Sequence, residues 1–229
     1  MLFIAAVAAV AWVAAGPLRA DDATELVGRA AGGRTVTPVN QVLVPAGRQV
    51  ELPGLRPQVL ALSPDGRLLV TSGKTNEIVV VDPVTGEIRQ RVKPPAGDAT
   101  KPPSDAETAR NLKPDTQAIG SYTGLVFSAD GSRLYMSNVH GSVKVFSCVD
   151  GTIAPSHTIP LPPAAAPQRK AEIPSGLAIS ADGSRLYVCG SLSNRLVEID
   201  TASGEALRSF DAGVAPFDVV LAHGKAFVS

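Results

Sequence analysis

One pattern of residues is written three times along this chain, and the start of a fourth copy follows. The copies are Leu60 to Gly86 (LALSPDGRLLVTSGKTNEIVVVDPVTG), Leu125 to Gly151 (LVFSADGSRLYMSNVHGSVKVFSCVDG) and Leu177 to Gly204 (LAISADGSRLYVCGSLSNRLVEIDTASG). Each holds an apolar run, a Ser-x-Asp-Gly turn, an alternating run, a short polar loop, a second alternating run and a Gly turn. Gly66 to Gly131 spans 65 residues, Gly131 to Gly183 spans 52, and Gly183 to Gly224, in PFDVVLAHGKAFVS, spans 41. The shortest spacing matches the roughly 40 to 45 residues of a four-stranded propeller blade. The longer spacings then carry insertions of 24 and 11 residues.

Within each copy four strands, A to D, are predicted. Strand A (LALS, LVFS, LAIS) is apolar enough to be an inner strand buried on both faces. The turns at Asp65-Gly66, Asp130-Gly131 and Asp182-Gly183 are structural, because Asp and Gly favour tight reversals and Pro64 suits the second position of a type I turn. Strands B (RLLVTS, RLYMSN, RLYVCG) and C (EIVVVD, SVKVFS, RLVEID) are β-branched and alternating. Strand D follows Asp82, Asp150 and Asp200 as EIRQRV, HTIPL and ALRSFDAG. The fold class is therefore all-β, a β-propeller of four-stranded antiparallel blades, incomplete at about three blades plus the start of a fourth. Propellers typically close with four to eight blades, so the sequence reads as an N-terminal fragment. Arg48 to Pro53 has the layout of a further strand D, latching the ring in a complete propeller.

Residues 1 to 20 differ in kind. Met1 to Ala15 is almost wholly apolar, Gly16-Pro17 follows, and Ala20 precedes Asp21-Asp22, the layout of a secretory signal peptide. No Lys or Arg precedes the apolar run, which departs from the usual pattern; an uncleaved anchor and a misplaced start are the other readings. The expectation is an exported chain, periplasmic or extracellular, with no membrane span after cleavage. Residues 21 to 47 read as linker and lead-in strand, and 48 to 229 as the partial propeller. Lys plus Arg and Asp plus Glu both number 21, so no net field draws in nucleic acid or an anionic membrane.

Alternating strand direction puts the B-C loops and D-A connections on one face and the A-B and C-D turns on the other. Both insertions, Pro94 to Ser121 and Pro160 to Pro174, decorate the B-C loop face, where binding is expected. Pro-rich insertions also serve as passive surface elaboration. Loop residues that differ between copies are the candidate ligand or partner contacts: Lys74, Asn76, Asn138, His140, Ser193 and Asn194, with Thr75 and Ser191 beside them. Solvated loops also vary without purpose.

The chemical inventory is thin. Gly120 to Gly124 has Tyr where a nucleophilic serine motif needs Ser, and Gly73-Lys74-Thr75 lacks the upstream glycine of a phosphate loop. No catalytic or metal-binding residue and no cofactor is assigned. His140 belongs to a B-C loop, His157 lies near a strand D and His223 sits at the fourth A-B turn, so one metal site using all three is excluded. Cys148 and Cys189 fall toward opposite faces of successive blades, and a strand of about five residues separates those faces by about 17 Å, too far for a disulfide.

The run of strand A, Ser-Pro-Asp-Gly turn, "RLYV" strand, "I-D" strand and Thr-Gly-Glu turn resembles the YVTN-type β-propeller repeat family and its YncE-like group, from Arg48 to the end. The single Trp, Trp12, lies in the signal segment, unlike the Trp-Asp pair of each tryptophan-aspartate repeat. GRQVELPGLRPQVLALSPDG, PSHTIPLPPAAAPQRKAEIPSGLAIS and GVAPFDVVL resemble exported proteins in which such a propeller precedes an alkaline-phosphatase-type phosphoesterase domain. That resemblance implies a metal-dependent catalytic domain as C-terminal partner, beyond Ser229. At fold level such propellers also resemble lactonases and the electron-transfer propellers of nitrite and nitrous oxide reductases. Two functions follow: a binding or scaffold module recognising an unknown protein, glycan or small ligand, and a hydrolase of which this is a non-catalytic part or a lactonase-like enzyme.

Overall fold

Period-two alternation in the repeats builds antiparallel sheets, each strand pairing with the next in sequence. A computed structural model describes residues 26 to 39, 41 to 104 and 113 to 229. The expected signal segment, with Trp12, and residues 105 to 112 of the first insertion lie outside the described residues.

The chain divides at Gln49 into two compact units. The first contains three two-residue strands, β1 (Gly28–Arg29), β2 (Thr35–Val36) and β3 (Val42–Leu43), forming a small antiparallel sheet. The second contains three four-stranded sheets. Blade 1 is β4 (Pro57–Leu62), β5 (Leu69–Gly73), β6 (Ile78–Val81) and β7 (Ile88–Val92). Blade 2 is β8 (Gly120–Phe127), β9 (Arg133–Asn138), β10 (Ser142–Val149) and β11 (Thr152–Pro160). Blade 3 is β12 (Pro174–Ile179), β13 (Arg185–Gly190), β14 (Arg195–Asp200) and β15 (Ala206–Asp211). A hairpin of β16 (Val219–Ala222) and β17 (Lys225–Val228) occupies the fourth position. The second unit is thus an incomplete propeller of antiparallel blades.

Alternation sends neighbouring side chains to opposite flanks of a blade, and each flank finds a partner. Leu134, Met136 and Phe146 of blade 2 pack with Leu68, Val70, Ile78 and Val80 of blade 1. The intervening residues Tyr135, Val143 and Val145 pack instead with Leu186, Val188, Val197 and Ile199 of blade 3. Ala178, Cys189 and Leu196 meet Val219 of the fourth hairpin. Full burial of each such apolar side chain contributes about 1.5 to 3 kcal/mol, so the blade interfaces carry most of the core.

One cassette makes the first three A-B turns. The Ser63 hydroxyl donates to Asp65 Oδ1 at 2.6 Å and accepts from Leu68 N–H at 2.9 Å, while Arg67 N–H donates to Asp65 Oδ1 at 3.0 Å. Ser128 with Asp130, and Ser180 with Asp182, repeat the arrangement. Gly66, Gly131 and Gly183 all have φ 71°, the left-handed conformation that favours glycine. The bonds have an electrostatic trace: the serine hydroxyl, then the backbone amide, hold the Asp130 and Asp182 carboxyls down at about 2. In the fourth copy His223 (φ 51°) and Gly224 (φ 69°) form a two-residue turn.

Four expectations need correction. Strand A of blade 1 is not buried on both faces: Leu60 and Leu62 are 63% and 56% exposed, because no blade lies against that flank among the described residues. Arg48 to Pro53 is not a strand. The strands it was expected to join in a complete propeller are not among the described residues, and Val50, Leu52 and Leu55 pack against Leu69, Val79 and Val81 of the same flank. Asp150 is not the counterpart of Asp82 and Asp200. Register places Asp200 opposite Arg185 and Ser147 opposite Arg133, so Ser147 holds that position. Asp150 (φ 49°) and Gly151 (φ 74°) instead form a two-residue hairpin, which lets β11 start at Thr152, earlier than the expected HTIPL. Finally, β8 begins at Gly120, so the first insertion ends at Ile119.

Candidate functional site

The B-C loops and D-A connections are stitched to one another by hydrogen bonds. Asn76 Nδ2 donates to Thr116 O at 3.3 Å, tying the first B-C loop to the first insertion. That insertion continues to the next loop, where Ile119 N–H donates to Asn138 Oδ1 at 3.1 Å and Val139 N–H donates to Ile119 O at 3.1 Å. Arg169 of the second insertion donates to Val139 O at 3.0 Å, and Leu161 N–H donates to Gly141 O at 3.0 Å. Ala165 N–H then donates to Ser193 Oγ at 2.8 Å in the third loop. Asn194 Oδ1 accepts from Ala215 N–H at 2.9 Å. The seam therefore runs from blade 1 to the approach to β16.

Two buried charges anchor the insertions. Lys144 on β10 is fully buried, and its ammonium donates to Asp115 Oδ2 at 2.7 Å, Pro95 O at 2.9 Å and Thr158 Oγ1 at 3.2 Å. All three ammonium hydrogens have acceptors, which offsets part of the cost of burying the charge. The Lys144 ammonium also helps to hold the Asp115 carboxyl below its usual range, against the desolvation that would raise it. Thr158 Oγ1 in turn donates to Ala96 O at 2.8 Å. Glu172, also buried, accepts Ile173 N–H and Leu192 N–H at 2.8 Å each on Oε1, and Ser193 N–H at 3.2 Å on Oε2. The third B-C loop is thereby closed on a carboxylate supplied by the insertion.

This geometry separates the candidate residues. Asn138 is 2% exposed, with Oδ1 on Ile119 and Nδ2 donating to Ser142 Oγ at 3.0 Å. Asn76, Ser193 and Asn194 are likewise engaged in the seam. Thr75 Oγ1 reaches Glu77 O at 3.4 Å, and Ser191 Oγ reaches Pro216 O at 3.1 Å. Lys74 and His140 are exposed on the same face. Lys144, Glu172 and Arg169 were missed in the sequence. A Lys between Val143 and Val145 in a buried strand is a signal for the first, since alternation turns it inward under whatever covers that flank.

The remaining titratable groups lie elsewhere. His157 on β11 is 4% exposed, with Nδ1 2.9 Å from Ser156 Oγ, and burial, helped by the positive charge of Arg133, pushes it down to about 4. Cys148 and Cys189 are free thiols, pushed by burial up to about 11 and about 12. Among the described residues no three His, Cys, Asp or Glu side chains are grouped to hold a metal ion. A cleft of about 1100 Å³ opens between blade 3 and the fourth hairpin, walled by Tyr187, Leu196, Phe210 and Leu221 and crossed by the Glu198–Arg208 pair at 2.6 Å. His223 lines it, away from the seam.

No family model matches the sequence, and no curated protein matches it. Solved structures are similar in fold. A hydrazine synthase of Kuenenia stuttgartiensis matches with TM-score 0.52 and 23% identity over 77% of this chain and 42% of that one. U3-55K matches with TM-score 0.54 and 14% identity over 75% and 44%. The Cps50 (Swd1) β-propeller domain of Myceliophteria thermophila matches with TM-score 0.54 and 13% identity over 86% and 55%. At these identities the likeness shows the WD40-like β-propeller fold alone. The chain spans 42 to 55% of these structures' own length.

Proposed function

We propose that this chain is an extracytoplasmic β-propeller binding or scaffold module of the YVTN-type, YncE-like group, engaging its partner on the B-C loop face. The observation that carries the reading is the seam. Both insertions are bonded to the loops beside them, so the face presents one pre-organised surface, which reduces the ordering cost of binding. Lys74 and His140 stand exposed on it. They are the contact residues of this reading, and Asn76, Asn138, Ser193 and Asn194 set the loop positions.

The test is binding of candidate proteins, glycans and small ligands to the immobilised chain. The face is assigned by comparing Lys74→Ala with His140→Ala against the turn-face variant Glu87→Ala with Glu205→Ala. Loss in the first pair and retention in the second supports the reading; the reverse contradicts it. The same samples should show no lactonase or phosphoesterase turnover above background, with or without divalent metal, since hydrolysis in this reading belongs to a C-terminal partner domain. Ester hydrolysis by this chain, abolished by His140→Ala, overturns it.

A further inference from the structure

The chain holds four Asp-Gly steps, at Asp65, Asp130, Asp150 and Asp182, and the fold restrains three of them. An Asp-Gly step is chemically labile, because glycine has no side chain to shield its amide nitrogen from the aspartate Cγ. Closure to a five-membered succinimide needs a free glycine amide, an unheld carboxyl and a backbone able to rotate. The cassette steps are denied all three. Gly66, Gly131 and Gly183 N–H donate to Ser63 O, Ser128 O and Ser180 O at 2.8, 2.9 and 2.9 Å. Each aspartate carboxyl accepts from the serine hydroxyl and from the backbone amide two residues on. Those bonds keep Asp130 and Asp182 ionised down to about 2, and a carboxylate gives up its oxygen far less readily than a carboxylic acid.

Asp150 has none of these restraints. Asp150 and Gly151 are both exposed, and among the described residues neither the Asp150 carboxylate nor the Gly151 N–H has a hydrogen-bond partner. A Cβ built at Gly151 meets nothing within 4 Å, so no neighbour blocks rotation of the turn. Asp150 also has φ 49°, a left-handed conformation that an L-residue leaves with relief of strain. The turn ends the β10–β11 ladder, where Val149 is 65% exposed, and opening it breaks only the Val149–Thr152 pair. The next pair inward is braced from outside that ladder. Cys148 N–H donates to Ser132 O at 2.8 Å, and Gln90 accepts from Ile153 N–H at 2.9 Å. Rotation is therefore confined to the tip.

We infer that the step from Asp150 to Gly151 is a modification site, where aspartate isomerises spontaneously to isoaspartate while the three cassette steps stay intact. The reaction balances with water alone. The Gly151 nitrogen attacks Asp150 Cγ, the new C–N bond replaces a C–O bond, and the departing oxygen leaves as water with the amide proton and the carboxyl proton. Water then re-enters at either imide carbonyl. Opening at the Cγ carbonyl restores aspartate. Opening at the original backbone carbonyl leaves the chain running through Cγ, with a free α-carboxylate and one extra methylene in the hairpin. The site lies on the turn face, so the bonds of the seam are untouched and the inference is independent of what the loop face binds.

The test incubates the folded chain beside the same chain in guanidinium chloride, for several weeks at body temperature in mildly acidic buffer. Both are digested, and each Asp-Gly peptide is resolved into aspartyl and isoaspartyl forms, the latter identified with an isoaspartyl carboxyl methyltransferase. Dividing folded by unfolded conversion at each step removes the effect of local sequence. That ratio at Asp150 should exceed the ratios at Asp65, Asp130 and Asp182 by at least about tenfold, since two or more hydrogen bonds, each worth several-fold, hold every cassette step. Asp150→Asn keeps a residue that tolerates the turn and exchanges water for ammonia as the leaving group, so conversion there should quicken. Ser128→Ala should raise the ratio at Asp130 several-fold and leave that at Asp150 unchanged. A ratio at Asp150 no higher than at any cassette step, or an Asp130 ratio unmoved by Ser128→Ala, would overturn the inference.

Discussion

Gly124 on β8 faces β9 of its own blade and the inner strand β12 of the next, and a methyl group added there would overlap the Ser137 hydroxyl and the Ser175 carbonyl. The latter two are hydrogen-bonded at 2.7 Å, and Ser175 Oγ passes the contact on to Pro216 O at 2.7 Å. Gly124→Ala must therefore push apart backbone that has nowhere to move. The expected cost is about 1–3 kcal/mol, read from the urea midpoint, whereas Gly97→Ala, facing open space, should be nearly neutral. His157 supplies a pH signature. The unfolded chain takes up its proton from about pH 6.5 and the folded chain only near about 4, so stability is full above pH 6.5 and declines as pH falls toward 4. The loss from this group amounts to about 3 kcal/mol and levels off below pH 4, where the turn aspartates begin to contribute their own. Denaturation midpoints between pH 7 and 4 should fall less steeply in His157→Gln; an unchanged slope would remove His157 from the account.

At the scale of elements, the insertions depend on one buried ammonium. Lys144→Met leaves Asp115, Pro95 O and Thr158 facing an apolar side chain and should cost about 3 kcal/mol. Limited proteolysis should then cut within the first insertion before the blades unfold; a variant as protected as wild type would contradict the anchoring role. The turns and strands B and C were legible in the sequence because each is specified locally: Ser63, Asp65 and Gly66 make their bonds within five residues. Asp150 misled for a related reason. Its Asp-Gly pair looks like the turns after Asp82 and Asp200, but only the register of β9 with β10 shows that Ser147 holds their place. Strand A of blade 1 and Arg48 to Pro53 were misjudged because burial and pairing depend on which neighbour is present, which alternation alone does not say. The site was legible as a face and not as a set of contacts. Polar loop residues such as Asn138 and Asn194 announce themselves, but their partners are backbone groups 19 and 21 residues away, joined only once the blades are stacked.

The whole molecule is organised by the contrast between its faces. Turn-face residues are repeated because each blade needs the same reversal, whereas loop-face residues differ because each bonds to a different insertion. The central claim is that three sequential blades carry their loops as one continuous, hydrogen-bonded surface rather than as independent solvated strands of chain. Residue-resolved hydrogen exchange reads this directly at amides that donate to side chains across the seam rather than along a ladder: Ile119, Ala165, Leu192, Ser193 and Ala215. Exchange at these five should be slowed to within about tenfold of strand amides such as those of Val145 and Val197, in keeping with local opening coupled to the blades beneath. Exchange at the rate of unstructured peptide, with the strands still protected, would show the insertions to be passive decoration and contradict the account.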